Sequence, residues 1–277
     1  MNKAKKTGLH TAAIFFFCFA ALASCQDRAS YWLKKGDADM NAKKYQEAIS
    51  DYDKAVRISP GLALAYYGRG NAQYGIGDPQ RALSDFDKAI ELDPKSAFAY
   101  VARGTTCAEL GNFQRALNDF DRAEELAPEF AGVFYNRGNT YARYLGNYQQ
   151  AIKDLDKAVE LDPKDANAYI SRGYAYERFG NHHEAIRNYE TALALDPGNA
   201  RAYNNRGNEY GRFGDIQQAK KYFDKAIELD PKFSQAYFNR GFYNLANGKE
   251  ATMDLTAAAR LGNKGAREFL NSKNIGW

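Results

Sequence analysis

The sequence predicts an all-α fold in which one helical hairpin is copied about seven times. Three observations predict it. Pro60, Pro94, Pro128, Pro163, Pro197 and Pro231 are spaced 34, 34, 35, 34 and 34 residues apart, with only Pro79 out of register. Gly36, Gly70, Gly104, Gly138, Gly173, Gly207 and Gly241 run in step, each preceded four residues earlier by a large aromatic, from Trp32 to Tyr237. Alanines from Ala48 to Ala251 are each followed at +4 by an aromatic or leucine and at +7 by another alanine. Self-similarity at a fixed period of this length is the mark of a repeat architecture.

Each spacing has a physical reading. Residues i and i+4 are neighbours on a helix, so the aromatic and the glycine share one face of a first helix. The Ala, aromatic and Ala set forms one stripe on a second helix. Glycine inside a helix costs about 1 kcal/mol against alanine, and close approach of the second helix supplies the reason to keep it. The proline closes the second helix, because it cannot continue the hydrogen-bond ladder. Gly77-Asp78-Pro79, Gly111-Asn112, Gly146-Asn147, Gly180-Asn181 and Gly214-Asp215 break the chain between helices. The single 35-residue interval puts one inserted residue before Ala151, in or near the turn, where a loop is expected to absorb it. Lys264–Asn271 carries Ala266, Phe269 and Leu270 at helical spacing and reads as a terminal cap.

Composition narrows the function classes. With 45% hydrophobic and 26% charged residues in 277, wholesale disorder is excluded. The 38 basic and 34 acidic residues leave +4, and Lys3, Lys5 and Lys6 fall in the first ten positions. The near-neutral body lacks the basic field of a sequence-independent nucleic-acid binder, so no nucleic-acid partner is expected. Cys107 is the only thiol after Cys25, which excludes an intramolecular disulfide in the body. It falls on an apolar face and reads as buried and inert. His182 and His183 are adjacent in a turn and read as a surface pair. No phosphate loop, strained nucleophile turn or zinc-spaced Cys/His cluster is present, so no enzyme, cofactor or metal is expected.

The 34-residue unit with these residues resembles the tetratricopeptide repeat over residues 29–262. The resemblance implies a right-handed α-solenoid of about seven helix-turn-helix units, with a capping helix and tail at 263–277. One departure recurs: the family's usual leucine before the glycine is Arg69, Arg103, Arg137, Arg172, Arg206 or Arg240, with Lys35 in the first unit. Asp51, Asp85, Asp119 and Asp154 sit at matched places on second helices, and a structural ladder of Arg–Asp pairs is expected.

The N-terminus carries a second signal. Residues 1–11 are polar and basic, and Ala12–Ala23 is a run of 12 apolar residues. A spanning helix needs about 20, so the pattern is that of a secretory signal peptide. Leu22-Ala23-Ser24-Cys25 resembles the lipobox of bacterial lipoproteins. That resemblance implies removal of residues 1–24, a lipidated Cys25 and a short linker over 25–28. Gln26, rather than Asp, follows the cysteine, which points to the outer membrane facing the periplasm; a soluble periplasmic or secreted protein is the alternative.

Tetratricopeptide arrays resemble one another in holding peptides or helices on a concave face lined by first helices. That implies candidate contact residues at Tyr67, Asn71 and Tyr74, then Tyr135, Asn136, Asn139 and Arg143. Tyr174, Glu177 and Arg178 follow, then Asn204, Asn205, Asn208 and Arg212. An asparagine amide both donates to and accepts from a peptide backbone. Tyrosine supplies contact area at low entropy cost, and arginine takes a carboxylate. The carboxylate clamp of chaperone-binding family members is incomplete, because Tyr67, Tyr135 and Asn204 occupy the places of its lysines. The expected function is a membrane-anchored scaffold or adaptor for envelope proteins. An assembly factor or pilotin for one outer-membrane or secretion component is the alternative, and self-association through end units into a homodimer is a third.

Overall fold

A computed structural model describes residues 26–245 and 248–277; the apolar N-terminal run, the lipobox and Cys25 lie outside the described residues. Every described element is helical: α1 (26–41), α2 (Tyr45–Ile58), α3 (Ala63–Gly75), α4 (Pro79–Leu92), α5 (Ala97–Glu109) and α6 (Phe113–Leu126). They are followed by α7 (Ala131–Thr140), α8 (Tyr148–Leu161), α9 (Ala166–Phe179), α10 (His182–Leu195) and α11 (Ala200–Arg212). The last are α12 (Ile216–Leu229), α13 (Ser234–Tyr243), α14 (Gly248–Arg260) and α15 (Lys264–Ser272). None of them is long and apolar enough to cross a membrane. The chain divides into two compact units, one ending at Val133 and one spanning Phe134–Trp277.

Within each unit, helices adjacent in sequence pack against each other as successive pairs, the layering of an α-solenoid. First helices of neighbouring pairs also touch: α3 meets α5 in the first unit, and α9 and α13 both meet α11 in the second. The inner face is therefore made by side chains of these first helices.

The repeating stripe is the core. From Ala48, Tyr52 and Ala55 in α2 to Ala251, Leu255 and Ala258 in α14, every member of the Ala, aromatic or leucine, Ala series is at most 2% exposed. The repeat glycines admit the large member of the stripe. A Cβ on Gly173 would lie 2.6 Å from Tyr189 Cε1, closer than any real contact. Ala266 and Leu270 of α15 pack on Leu255, Ala258 and Ala259, covering the last layer.

The Gly–Asx breakers have a double role. The glycine closes the first helix in the left-handed region, as at Gly180 with φ 93°, where only glycine sits without strain. The following Asp or Asn caps the second helix. Asp78, Asn112, Asn147, Asn181 and Asp215 each accept a hydrogen bond from the backbone N–H three residues on, at 3.0–3.3 Å.

One expectation is corrected here. The inserted residue is not absorbed by a loop. It lengthens the first helix of its pair, where α7 runs directly into a π-helical turn over Tyr141–Leu145 before Gly146 at φ 62°. Gly138 and Gly146 stand eight residues apart, where Gly173–Gly180 and Gly207–Gly214 span seven. A capped Asx turn at Asn147 holds the start of α8 in place, so the extra residue is cheaper to house as one wide helical turn.

Candidate functional site

The recurrent arginines are fixed by the repeat. Arg103 makes a fork to Asp119, with Nε donating to Oδ2 at 2.9 Å and Nη2 to Oδ1 at 2.7 Å, while Nη1 reaches back to Asp87 at 2.7 Å. Arg69 does the same with Asp85 and Asp53, and Arg240 with Asp254 and Asp224. Arg137 forks to Asp154 at 2.9 and 3.1 Å. Each guanidinium also lies over the aromatic three residues earlier, at 5.4 Å for Arg103 over Tyr100. The ladder changes in two layers. Asn188 stands in for the aspartate under Arg172, and Arg206 lies 4.5 Å over Tyr222 instead, with its Nε buried and without a hydrogen bond.

A second set of side chains forms a cleft in the Phe134–Trp277 unit. It has a volume of about 350 Å³ and is lined by Asn139, Arg143, Ile170, Ser171, Tyr174, Arg201 and Asn205. Its two walls are alike. Asn139 and Arg143 stand one turn apart on α7 and its π turn, and Arg201 and Asn205 stand one turn apart on α11. Ile170 and Ser171, both buried, and Tyr174 come from α9. The lining thus offers two amides, two hydroxyls, two guanidinium groups and an apolar floor, with no carboxylate among its members.

Four of the fourteen residues expected on the inner face, Asn139, Arg143, Tyr174 and Asn205, meet in this cleft. The others are placed differently. Asn204 is corrected: it is buried, accepting from Asn239 Nδ2 at 2.9 Å and donating to Asn205 at 3.2 Å, and so belongs to the packing between α11 and α13. Arg178 lies 5.6 Å over the Tyr148 ring, outside the cleft lining. Arg212 is engaged with two acids, 3.5 Å from Glu177 and 3.5 Å from Glu209. Asn208 is half-buried, and its carbonyl accepts from the Tyr243 hydroxyl at 3.3 Å. Tyr135 packs against the cluster of Ala142, Ala151, Leu155 and Ala175, and Asn136 is half-buried on the same helix. In the first unit, Tyr67 packs on the Ala89, Ile90 and Ala99 cluster, Tyr74 hydrogen-bonds Glu109, and Asn71 is half-buried.

Sequence reasoning missed Ile170, Ser171 and Arg201. A signal for Arg201 existed: its place in the other pairs is taken by Ser30, Leu64, Phe98, Gly132, Asn167 and Gln235, so the repeat does not dictate it. It also misread His182. Its Nδ1 lies 2.7 Å from Oε2 of Glu209, a carboxylate with no exposed surface. Burial, then the nearby Glu177 charge, push the Glu209 carboxyl above its ordinary range. His183 is exposed, as expected, and stacks on the exposed ring of Phe213 at 5.4 Å. Cys107 is buried as expected, and burial raises its thiol pKa, which keeps it unreactive.

Sequence models described as tetratricopeptide or TPR repeats match residues 36–77, 63–96, 97–130, 140–200, 176–208, 200–233 and 222–253. The chain belongs to the tetratricopeptide repeat family. It is accordingly a protein–protein interaction scaffold. A tetratricopeptide repeat protein from Parabacteroides merdae shares the fold at a TM-score of 0.70 and 24% identity, covering 88% of this chain and 98% of its own. YrrB, described as a TPR protein with an unusual peptide-binding site, is 29% identical at a TM-score of 0.50, covering 67% of this chain and 95% of its own. PilF of Pseudomonas aeruginosa shares the fold at 19% identity and a TM-score of 0.65, over 77% of this chain and 96% of its own. No functionally curated protein matches the chain.

Proposed function

We propose that this tetratricopeptide protein holds an extended segment of a partner protein in the cleft between α7, α9 and α11, as a scaffold for envelope proteins. One observation carries the reading: the cleft gathers side chains that bind peptide backbones and side chains, on positions the repeat leaves free to vary. Asn139 and Asn205 can each pair with a backbone amide in both directions. Tyr174 offers a contact surface that is already ordered. The 29% identity to YrrB, with its peptide-binding site, supports the same use.

The lipobox-like Leu22-Ala23-Ser24-Cys25 supports a lipid anchor in addition to this binding role. In this reading Cys25 carries the lipid, and the body faces the periplasm from the outer membrane. Fatty-acid labelling tests it: label incorporated by the wild type and lost in Cys25→Ser is the expected result, and label retained in Cys25→Ser would refute it.

The scaffold reading is tested by affinity capture from an envelope extract, with the wild type and an Asn139→Ala/Tyr174→Ala/Asn205→Ala variant as parallel baits. Partners retained by the first and lost by the second are expected. The same partners on both baits would move the search to another surface.

A further inference from the structure

Three arginines occupy one register position, five residues after a repeat glycine: Arg143, Arg178 and Arg212. In α9 and α11 this position lies in regular α-helix. There Arg178 rests on Tyr148, and Arg212 is taken up by Glu177 and Glu209. Only Arg143 lies in a π turn, and only Arg143 lines the cleft. The inserted residue is what sets it apart, since it widens the turn that carries the side chain. Such π turns recur at functional sites because they re-aim side chains at the expense of regular hydrogen bonding.

Across the cleft stands Arg201, on the second residue of α11. It also borders a hollow edged by Asp196 and Asp230, and forms an ion pair with neither. Arg143 likewise has no carboxylate partner among the described residues. The ladder guanidinium groups, by contrast, are held between acids. Two unpaired cations over a buried apolar and hydroxyl floor favour an anion.

Resting on the peptide-cleft reading, we infer that the one-residue insertion builds an acid-selective site, in which Arg143 and Arg201 bind a glutamate or aspartate side chain within an extended partner segment. An internal side chain fits better than a chain end. Asn139 and Asn205 stand on opposite walls, each one turn from its arginine, so backbone contacts are available on both sides of the acid. The lysine places of a terminal-carboxylate clamp hold Tyr135 and the buried Asn204.

Fluorescein-labelled nonapeptide pools, randomised except at the central position, test this by anisotropy on the whole chain. One pool has a central Glu and both ends blocked, the second a central Gln and both ends blocked, and the third a central Gln and a free C-terminus. The Glu pool should bind about tenfold more tightly than the blocked Gln pool, the scale of a charge-assisted hydrogen bond. Arg143→Gln, Arg201→Gln and deletion of Tyr144, which restores the seven-residue interval, should each erase that preference without lowering the melting temperature. If the deletion does not fold, Arg143→Gln decides, since it truncates an exposed side chain. Equal binding of both blocked pools would overturn acid selectivity and leave the peptide cleft standing. Strongest binding of the third pool would replace the internal acid by a chain end and overturn the inference. A folded Tyr144 deletion that keeps the Glu preference would overturn the role of the insertion. Binding of no pool by the wild type would overturn the peptide cleft, and the inference with it.

Discussion

The ladder arginines and the cleft arginines are the same residue in opposite circumstances. Arg69, Arg103 and Arg240 are each clasped by a fork to one buried aspartate and a single bond to a second. Arg143 and Arg201 line an open cleft whose lining carries no acid. The ladder residues recur every 34 or 35 positions because each layer meets the same problem, a charge beneath a stacked helix. Arg201 does not recur, and Arg143 shares its register with Arg178 and Arg212 but alone lies in a π turn. Repetition marks what the fold requires, and departure from repetition marks what the fold leaves available for partners.

Removing a ladder arginine should break the first half of this contrast with the largest effect. Arg103→Leu leaves the Asp119 carboxylate, 5% exposed, without its fork, and should cost about 3–5 kcal/mol in chemical denaturation. Adding Asp119→Leu should recover most of that loss, because no buried charge is then left unpaired. A null recovery would mean that the arginine's packing, and not its charge, is what the layer needs.

Gly207→Ala comes next. Its Cβ would stand 2.8 Å from Phe223 Cε1 and 3.2 Å from the Ala219 carbonyl oxygen. Alanine gains about 1 kcal/mol of helix propensity, yet the overpacked pair should still lose about 1–3 kcal/mol net. A rise in melting temperature would show that the helices can separate at little cost.

A smaller, pH-dependent effect belongs to Glu209. It faces Glu177 of α9, His182 of α10, Arg212 of its own helix and Tyr243 of α13. Burial and Glu177 raise its pKa in the folded chain, so the fold binds this proton more tightly than the unfolded chain does. The resulting stabilisation is complete below the ordinary value of 4.5 and is lost as pH rises through the raised value. On acidification from neutral pH toward 4.5, the wild type should therefore gain stability relative to Glu209→Gln. Melting curves of both across that range check it, and parallel curves would contradict it.

Arg178→Gln should have the smallest effect. The side chain is exposed and rests only on Tyr148. Stability should stay within about 0.5 kcal/mol, and peptide binding should be unchanged. A loss of binding as large as that of Arg143→Gln would remove the distinction between the α-helical and π-turn arginines.

Most of the fold was legible because it is one packing solution written seven times. The stripe from Ala48 to Ala258, the glycine notches and the Gly–Asx caps each state a local requirement, and agreement between copies leaves little to tertiary context. The 35-residue interval was visible as a count, but a count does not say whether a loop or a helix takes the extra residue. The capped start of α8 decided for the helix. The cleft was legible only in part. Asn139, Arg143, Tyr174 and Asn205 followed from their places on first helices. Asn204 looked the same in sequence but is buried by Asn239, its partner 35 residues on in the next first helix. Arg201 was not legible, because it lies at the end of its helix away from the repeat glycine, at a place where no residue type recurs.

The most direct test of the division between scaffold and binding arginines places two variants side by side. Melting temperature and Glu-pool affinity would be measured on Arg103→Gln and on Arg143→Gln. The account predicts that Arg103→Gln melts far lower while its folded fraction binds like the wild type. It predicts that Arg143→Gln melts like the wild type and loses about tenfold in affinity. Parallel losses of stability and binding in both variants would contradict it.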